Sequence, residues 1–214
     1  MKKAQLLIIC ALACFALPMS AQTAAQSTTT RKATQVVPAT TSKPSAPLPT
    51  PPAEQSNEEL KALVARDQAT RTPTIGVADS KETDADRRAI VRQMIDAGTL
   101  RTGLDYRNAA LIMQHGDQSD DYLLAHSLAI IGASKEDKVA LWLCAATLDR
   151  YLQSLNWPQI YGTQYVYASP NTPPLQDPYN RTLLSDALRQ ATGVPTLEEQ
   201  EKHAKDLSKQ AESK

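Results

Sequence analysis

Few residues of this chain can form disulfides or bind metals. It has three cysteines among 214 residues, and two of them lie within the first 21 residues. If those residues are removed, Cys144 is alone and an intramolecular disulfide is excluded. The three histidines, at positions 115, 126 and 203, lack the close spacing of a zinc site, and Cys144 has no second cysteine nearby. We therefore predict no metal site and no cofactor.

An excess of charge of either sign is also absent. Lys plus Arg and Asp plus Glu both number 23, which gives a formal net charge of zero. The sequence has no basic stripe with interleaved aromatic side chains. A protein without these features has no field that attracts nucleic acid, so we predict no nucleic-acid partner.

The N-terminus has the pattern of a signal peptide. Lys2 and Lys3 precede an uncharged apolar run over residues 4–17. The run is shorter than the roughly 20 residues that a membrane-spanning helix needs, and small residues follow it. We predict an exported protein, periplasmic or extracellular, with a signal peptide at 1–21 that is cleaved after Ala21. The mature chain is predicted to have no transmembrane span.

A lipid anchor is the alternative form of export. The residues Ala11-Leu12-Ala13-Cys14 loosely resemble the lipid-attachment box of bacterial lipoproteins, with a small residue directly before the cysteine. The residues after Cys14 stay apolar where such proteins usually become polar. We therefore prefer the cleaved form without an anchor.

Composition divides the rest of the chain into three parts. Residues 22–55 are rich in Thr and Pro and lack the large apolar side chains that offset the entropy of ordering a chain, so we predict a disordered tether. Residues 56–195 have helical periodicity and are predicted to form one helical domain. Residues 196–214 are predicted to form a charged C-terminal helix that is solvated nearly all round.

The domain is predicted to be mainly α-helical. A capping box at Ser56 begins a first helix that ends near residue 69, and another at Thr196 begins the last helix. Helical periodicity and glycine stops predict further helices at 84–97, 104–115, 119–132, 135–155 and 181–191. Residues 160–167 alternate in part and contain Tyr, Val and Ile, which predicts one short extended segment.

The helices predicted at 119–132 and 135–155 are apolar on more than one side. One face of the second helix collects Leu141, Cys144, Ala145, Leu148, Leu152 and Leu155. A helix that is apolar on two sides is packed on two sides, so it is expected to be central. With only a short turn at Ala133-Ser134 between them, the two helices are predicted to form a central antiparallel hairpin in a compact multi-helix domain.

Several polar residues are candidates for chemistry. His115 and Asp149 are candidates for a catalytic base and its orienting carboxylate, as in nucleophilic hydrolysis. Arg150 or Gln159 would then stabilise developing charge. The alternative is that Asp149 and Arg150 have a structural role in ion pairs, because a buried charge requires a partner.

A second set of residues is predicted to bind a ligand. The string from Gln159 to Gln164 carries two amides, a phenol and a hydroxyl, which suit a polar ligand of little net charge. The same groups can also bind the exposed ends of neighbouring helices. The predicted ligand-binding residues are Asp67, Arg71, Arg150, Gln159, Tyr161, Thr163 and Gln164.

These residues resemble the signature of an uncharacterised bacterial family, a domain of unknown function with an Asp-Arg helix followed by a Gln-x-Tyr-Gly-Thr-Gln string. The matching residues here are Asp67-Gln68 with Arg71, Gln114-His115, Asp149-Arg150 and the string from Gln159 to Gln164. The resemblance covers roughly residues 57–207, and only the string is specific. It implies no activity. It does imply that seven residues converge in space: Asp67, Arg71, His115, Asp149, Arg150, Gln159 and Tyr161.

The sequence leaves three functions open. The first is an exported interaction or binding module of the bacterial envelope, with an envelope protein or polymer as its partner. The second is a hydrolase that uses His115 and Asp149 in a polar pocket, although no Gly-x-Ser-x-Gly elbow supplies a nucleophile. The third is a purely structural envelope protein. The binding module is the function that we predict.

Overall fold

The computed structural model describes residues 55–71, 81–167, 172 and 174–212, with side chains described as far as residue 209. Within these residues the chain forms seven α-helices and no β-strand, so the prediction of a mainly α-helical domain is confirmed. The helices are α1 Glu58–Ala69, α2 Asp84–Asp96, α3 Gly103–Met113, α4 Ser119–Ser134, α5 Val139–Ser154, α6 Asp186–Ala191 and α7 Leu197–Glu212. None of these helices combines the length and apolar composition that a membrane span requires.

The N-terminal predictions lie outside the described residues. They are the signal peptide at 1–21, the lipid anchor at Cys14 and all of the tether at 22–55 except Gln55. The segment predicted to be extended, at 160–167, forms only isolated bridges at its borders, where Gln159 pairs with Tyr179 and Val166 with Leu175.

Side-chain caps determine where several helices begin. The first helix begins one residue later than predicted, because Asn57 and not Ser56 is its N-cap: the Asn57 side-chain oxygen accepts the Leu60 N–H at 3.0 Å. The Asn57 N–H donates to Asp105 Oδ1 at 2.8 Å, which joins the start of α1 to the start of α3. Capping boxes begin three other helices, formed by Thr83 with Asp86, Thr102 with Asp105 and Thr196 with Glu199.

The turn between α4 and α5 is longer than predicted, so α5 begins at Val139 rather than near residue 135. Glu136 has a φ of 68°, which breaks the helix. Asp137 Oδ1 then accepts the Val139 N–H at 3.1 Å. The turn packs on Gly103, where an added Cβ would lie 2.8 Å from the Lys135 carbonyl oxygen, so only glycine fits there.

The helices α4 and α5 lie side by side. The Ser154 hydroxyl donates to Ser119 Oγ at 3.0 Å, and His126 Nδ1 lies 3.0 Å from the Cys144 carbonyl oxygen. The turn at 135–138 joins the opposite ends of the two helices. The start of α4 thus meets the end of α5, and the chain reverses direction between them.

The prediction that α5 is packed on both apolar sides holds only in part, because on the side of Leu141 and Leu155 Ala145 is 1% exposed but the two leucines are not buried. Leu141 and Leu155 are 37% and 38% exposed, whereas Leu143 is 2% exposed and Ala146 is fully buried. Leu143 belongs to the core because α3 packs against both α4 and α5. A helix that is apolar on both sides does not encode which side is covered, because the position of its neighbours decides that.

The C-terminal helix is docked on one side rather than solvated nearly all round. Gln200 is buried, and its Nε2 donates to the carbonyl oxygens of Tyr161 and Pro195, both at 2.9 Å. The rings of His203 and Tyr165 meet edge to face with their centroids 5.4 Å apart. These contacts join α7 to the segment that follows α5.

Leu143→Ala is expected to lower the free energy of unfolding by about 2–5 kcal/mol, because it removes a buried side chain and leaves a cavity. Leu141→Ala, the same change on an exposed side of the same helix, is the control and is expected to cost about 1 kcal/mol or less. Urea unfolding followed by circular dichroism measures both values. Equal losses would contradict the burial described for α5.

Candidate functional site

Asp149 holds the segment that follows α5. Its Oδ1 accepts the N–H groups of Ile160 at 2.8 Å and Tyr161 at 3.0 Å. Its Oδ2 accepts the N–H and the hydroxyl of Thr163, at 2.9 and 2.8 Å. Burial raises the pKa of Asp149, although these four donors act to lower it. A carboxylate has about four lone-pair positions, so this one is fully used in fastening the segment.

Buried glutamines hold the same segment from within. Gln159 Nε2 donates to the Gln164 carbonyl oxygen, and its Oε1 accepts the Gln164 N–H, both at 3.0 Å. Gln164 Nε2 donates to the Ala146 carbonyl oxygen of α5 at 3.2 Å. Gln176 Nε2 donates to the Gly162 carbonyl oxygen at 2.6 Å. Side-chain amides therefore replace the backbone ladder that a sheet would provide.

Tyr161 and Gly162 are held through their backbone. The Tyr161 carbonyl oxygen accepts from the Tyr179 hydroxyl at 3.0 Å and from Gln200 Nε2 at 2.9 Å. Gly162 has a φ of 78°, and an added Cβ would lie 2.3 Å from Gln200 Oε1, so no other residue fits there. The string from Gln159 to Gln164 is thus an internally bonded turn of chain.

A second buried carboxylate, Asp67, lies near the end of α1. It accepts from Arg71 at 2.7 Å and from Gln68 Nε2 at 2.8 Å, and Arg87 Nε lies 3.2 Å away. Arg71 and Arg87 also pair with Asp84 on α2. Although burial acts to raise it, the pKa of Asp84 is lowered by hydrogen bonds from these two arginines. The cluster joins α1 to α2 and balances its own charge.

His115 pairs with Asp67, and the predicted pairing of His115 with Asp149 is not formed. His115 Nδ1 lies 3.2 Å from Asp67 Oδ2. Burial lowers the pKa of His115, and the charges of Arg71 and Arg150 lower it further against the opposing effect of Asp67. Burial thus favours the neutral form of the imidazole.

Hydrogen bonds and ion pairs group the predicted site residues into two clusters. The first cluster consists of Asp67, Arg71 and His115. The second consists of Asp149, Gln159, Tyr161, Thr163 and Gln164. Arg150 follows Asp149 in the chain, is 6% exposed, and lies close enough to His115 for its charge to act on that side chain.

A half-open cleft of about 370 Å³ lies beside Arg150, between the end of α5 and the chain after residue 165. Its lining includes Tyr122, Arg150, Gln153, Asn156, Val166 and Asp177. Arg150 and Asp177 supply one charge of each sign, and the other lining side chains are neutral. Such a lining suits a polar ligand of little net charge.

The far wall of the cleft, opposite the end of α5, is formed by Val166, Asp177 and Pro178 and is held by backbone hydrogen bonds. Val166 and Leu175 exchange N–H···O bonds of 2.7 and 2.8 Å. The Gln159 N–H donates to the Pro178 carbonyl oxygen at 3.0 Å, which joins this wall to the segment that Asp149 fastens. A ligand entering the cleft would not have to order this wall, which favours binding.

The cleft also offers side chains with unused hydrogen-bonding groups. Within the described residues, the amides of Gln153 and Asn156 make no hydrogen bond, whereas the Tyr122 hydroxyl donates to the Gly116 carbonyl oxygen at 2.7 Å. Sequence reasoning missed these residues because nothing in their local pattern separates them from ordinary helix-end polar residues. Only the pair Asn156-Trp157, at the predicted end of a helix, could have drawn attention to this region.

The described residues offer little for catalysis. They contain no group of three or more His, Cys, Asp or Glu side chains that could hold a metal ion. Cys144 is half-buried and burial raises the pKa of its thiol, which makes it a poor nucleophile. No hydroxyl or thiol in this part of the chain is hydrogen-bonded to His115.

No family model, no curated protein and no solved structure is significantly similar to this chain. The resemblance to the family with the Gln-x-Tyr-Gly-Thr-Gln string therefore stays a prediction.

Asp149→Asn is expected to lower the free energy of unfolding by about 3 kcal/mol or more, because the amide puts a donor where the carboxylate accepted N–H groups. Asp206→Asn, at an exposed position of α7, is the control and is expected to stay within about 0.5 kcal/mol of the original chain. Guanidinium unfolding measures both. A loss no larger than that of the control would mean that Asp149 does not fasten the segment.

Stability is expected to fall as the pH drops below about 6.5, the usual pKa of histidine. Because burial holds the pKa of His115 below that value, the unfolded chain takes up a proton that the folded chain does not. His115→Gln should flatten the dependence of unfolding free energy on pH by up to about 1.4 kcal/mol per pH unit. The pKa of His126 is also lowered by burial, so His126 accounts for the pH dependence that remains in the variant. Urea unfolding at neutral and mildly acidic pH tests this, and identical slopes would refute it.

Proposed function

We propose that this chain is an exported binding module of the bacterial envelope that takes a polar ligand of little net charge in the cleft beside Arg150. The signal pattern over residues 2–21 supports export. The observation that carries the binding proposal is the cleft itself. Its far wall is fixed, while the amides of Gln153 and Asn156 have no internal partner among the described residues.

The contrast between two groups of amides supports this proposal. The Gln159 amide has both its donor and its acceptor engaged inside the protein, and the Gln164 amide donates to the Ala146 carbonyl oxygen, as structural amides require. Gln153 and Asn156 line the cleft, and their side-chain amides make no hydrogen bond within the described residues. Binding at the cleft would use the second group and leave the first intact.

The hydrolase alternative has one observation in its favour. The contact of His115 with Asp67 resembles the pair that orients a general base. However, a hydrolase of this kind also needs a nucleophile or an activated water next to the imidazole. No hydroxyl or thiol of the described residues takes that place, so binding without chemistry is better supported.

A purely structural protein is the remaining alternative, and ligand-dependent stabilisation separates it from a binding module. The chain is heated alone and with each of four probes: chitotetraose, cellotetraose, trialanine and inorganic phosphate. A neutral probe that binds the folded chain should raise Tm by a few degrees at saturating concentration, because binding to the folded state alone stabilises it. Phosphate should have little effect, because the lining has no net charge.

Gln153→Ala and Gln93→Ala are the matched variants for this test. Gln153 lines the cleft, and Gln93 is an exposed glutamine on α2. The first change is expected to remove at least about half of the ligand-induced rise in Tm, by loss of a hydrogen bond of roughly 1 kcal/mol. The second should leave it unchanged. No rise with any probe, or an equal rise in both variants, would argue against the cleft as a binding site.

A further inference from the structure

One side of α4 is apolar and open to solvent. Leu123 and Ile130 are 41% and 49% exposed. They alternate with Ser127 and Ser134 at intervals of four, three and four residues, which places the four side chains along one stripe of the helix. The stripe thus alternates large and small side chains, and no other helix of the described residues buries its two large ones.

Helix α5 has a matching stripe. Leu141 and Leu155 are 37% and 38% exposed, and Cys144, Leu148 and Tyr151 are half-buried between them. These five residues also follow one another at intervals of three or four. In coiled coils, side chains with this spacing insert between those of a facing helix. Each of the two stripes therefore has the pattern of a helix that packs against another helix.

The two stripes lie next to each other and form one outer face of the α4–α5 hairpin. His126 Nδ1 is 3.0 Å from the Cys144 carbonyl oxygen, so the two helices touch at this point. Leu123 and Ile130 lie one turn before and one turn after His126. The stripe of α5 runs through Cys144 itself. A partner that covers this outer face would therefore contact both helices.

The serines of the outer face do not oppose its burial. The Ser127 hydroxyl donates to the Leu123 carbonyl oxygen at 3.0 Å, and the Ser134 hydroxyl donates to the Ile131 carbonyl oxygen at 2.8 Å. Both donors are engaged within α4. Covering the outer face would therefore leave neither hydroxyl without an acceptor, which is the usual cost of burying a polar side chain.

The absence of charge from the outer face narrows the choice of partner. Residues 122–134 and 139–148 contain no Asp, Glu, Lys or Arg. Helices that lie on a membrane surface are rich in Lys and Arg, and a nucleic acid needs a basic surface. Two copies of an uncharged face, in contrast, meet without bringing like charges together. The outer face is therefore suited to a second copy of itself.

The outer face is also large enough for a weak dimer. The helices α4 and α5 have 16 residues each. Each is therefore about 24 Å long and about 10 Å wide, and side by side they offer roughly 500 Å² in projection. Two copies would bury about 1,000 Å² between them, which is near the lower limit for a specific interface.

We infer that this protein forms a symmetric dimer in which the outer faces of two α4–α5 hairpins pack together as a four-helix bundle. The dimer does not depend on the proposed function. Arg150 and Gln153, which line the cleft, project from a different side of α5 than Leu148 and Leu155, by helical spacing. Dimerisation therefore leaves the cleft of each copy open.

Sedimentation velocity of the full chain, as purified from exporting cells, over a wide concentration range tests the dimer. A reversible change from monomer to dimer is expected, with a dissociation constant in the micromolar range. Ile130→Asp and Leu141→Asp should each raise that constant at least about tenfold, because each puts a charge into an apolar contact. Leu188→Asp, the same change at a 54% exposed position of α6, is the control and should leave it unchanged.

Thiol labelling supplies a second readout on the outer face itself. Maleimide modification of Cys144, followed by mass spectrometry of its peptide, should slow as the protein concentration rises, because the dimer covers the thiol. In Ile130→Asp the rate should not depend on concentration. Circular dichroism checks that each variant is folded. Ile130→Ser, a milder change at the same position, should weaken the dimer less and takes the place of Ile130→Asp if that variant does not fold.

The outcomes decide the inference either way. A concentration-dependent dimer that Ile130→Asp and Leu141→Asp weaken, and Leu188→Asp does not, supports it. A monomer at every concentration would overturn it. A dimer that survives both aspartate variants of the hairpin, or that Leu188→Asp disrupts, would lie on another surface and would overturn it too. Dimerisation with unchanged labelling of Cys144 would have the same consequence.

Discussion

The structure after α5 depends on the buried carboxylate of Asp149. Four N–H and O–H donors from residues 160–163 converge on it, and each would lose a hydrogen bond if the carboxylate were removed. The segment so fastened carries Gln159, which holds the wall of the cleft at Pro178, and Tyr161, on which Gln200 of α7 docks. One side chain thereby sets the position of the cleft wall and of the last helix.

The domain satisfies two of its buried carboxylates, Asp67 and Asp149, in different ways. Asp67 is surrounded by Arg71 and Arg87, so charge meets charge where α1 and α2 come together. Asp149 is surrounded by neutral backbone and hydroxyl donors, and burial raises its pKa. The first arrangement joins helices, whereas the second shapes an irregular segment. Neither carboxylate is left facing the cleft, which is why the unpartnered amides of Gln153 and Asn156 are the better candidates for contact with a ligand.

Helices were the most predictable part of this fold because their signals are local. Periodicity and caps place α4 at Ser119 and α2 at Asp84, as the structure has them. The start of α5 was not predictable, because Glu136 breaks the helix where the turn must pack on Gly103, a residue distant in sequence. The candidate site was predicted in part: the string from Gln159 to Gln164 does stand out structurally, but its side chains face inward. Its amides are used up by partners such as Ala146 and Gln176 that no local pattern reveals.

The amino-acid sequence by itself determined the mainly helical architecture, since helical periodicity, capping residues and glycine stops act over a few neighbouring residues. Only the tertiary structure decided which side chains of α5 are buried, which carboxylate His115 meets, and that Trp157 stays exposed. The physical reason is the range of the interactions. A cap or a helical turn is formed within one segment, whereas burial and side-chain hydrogen bonding depend on which distant segments pack together.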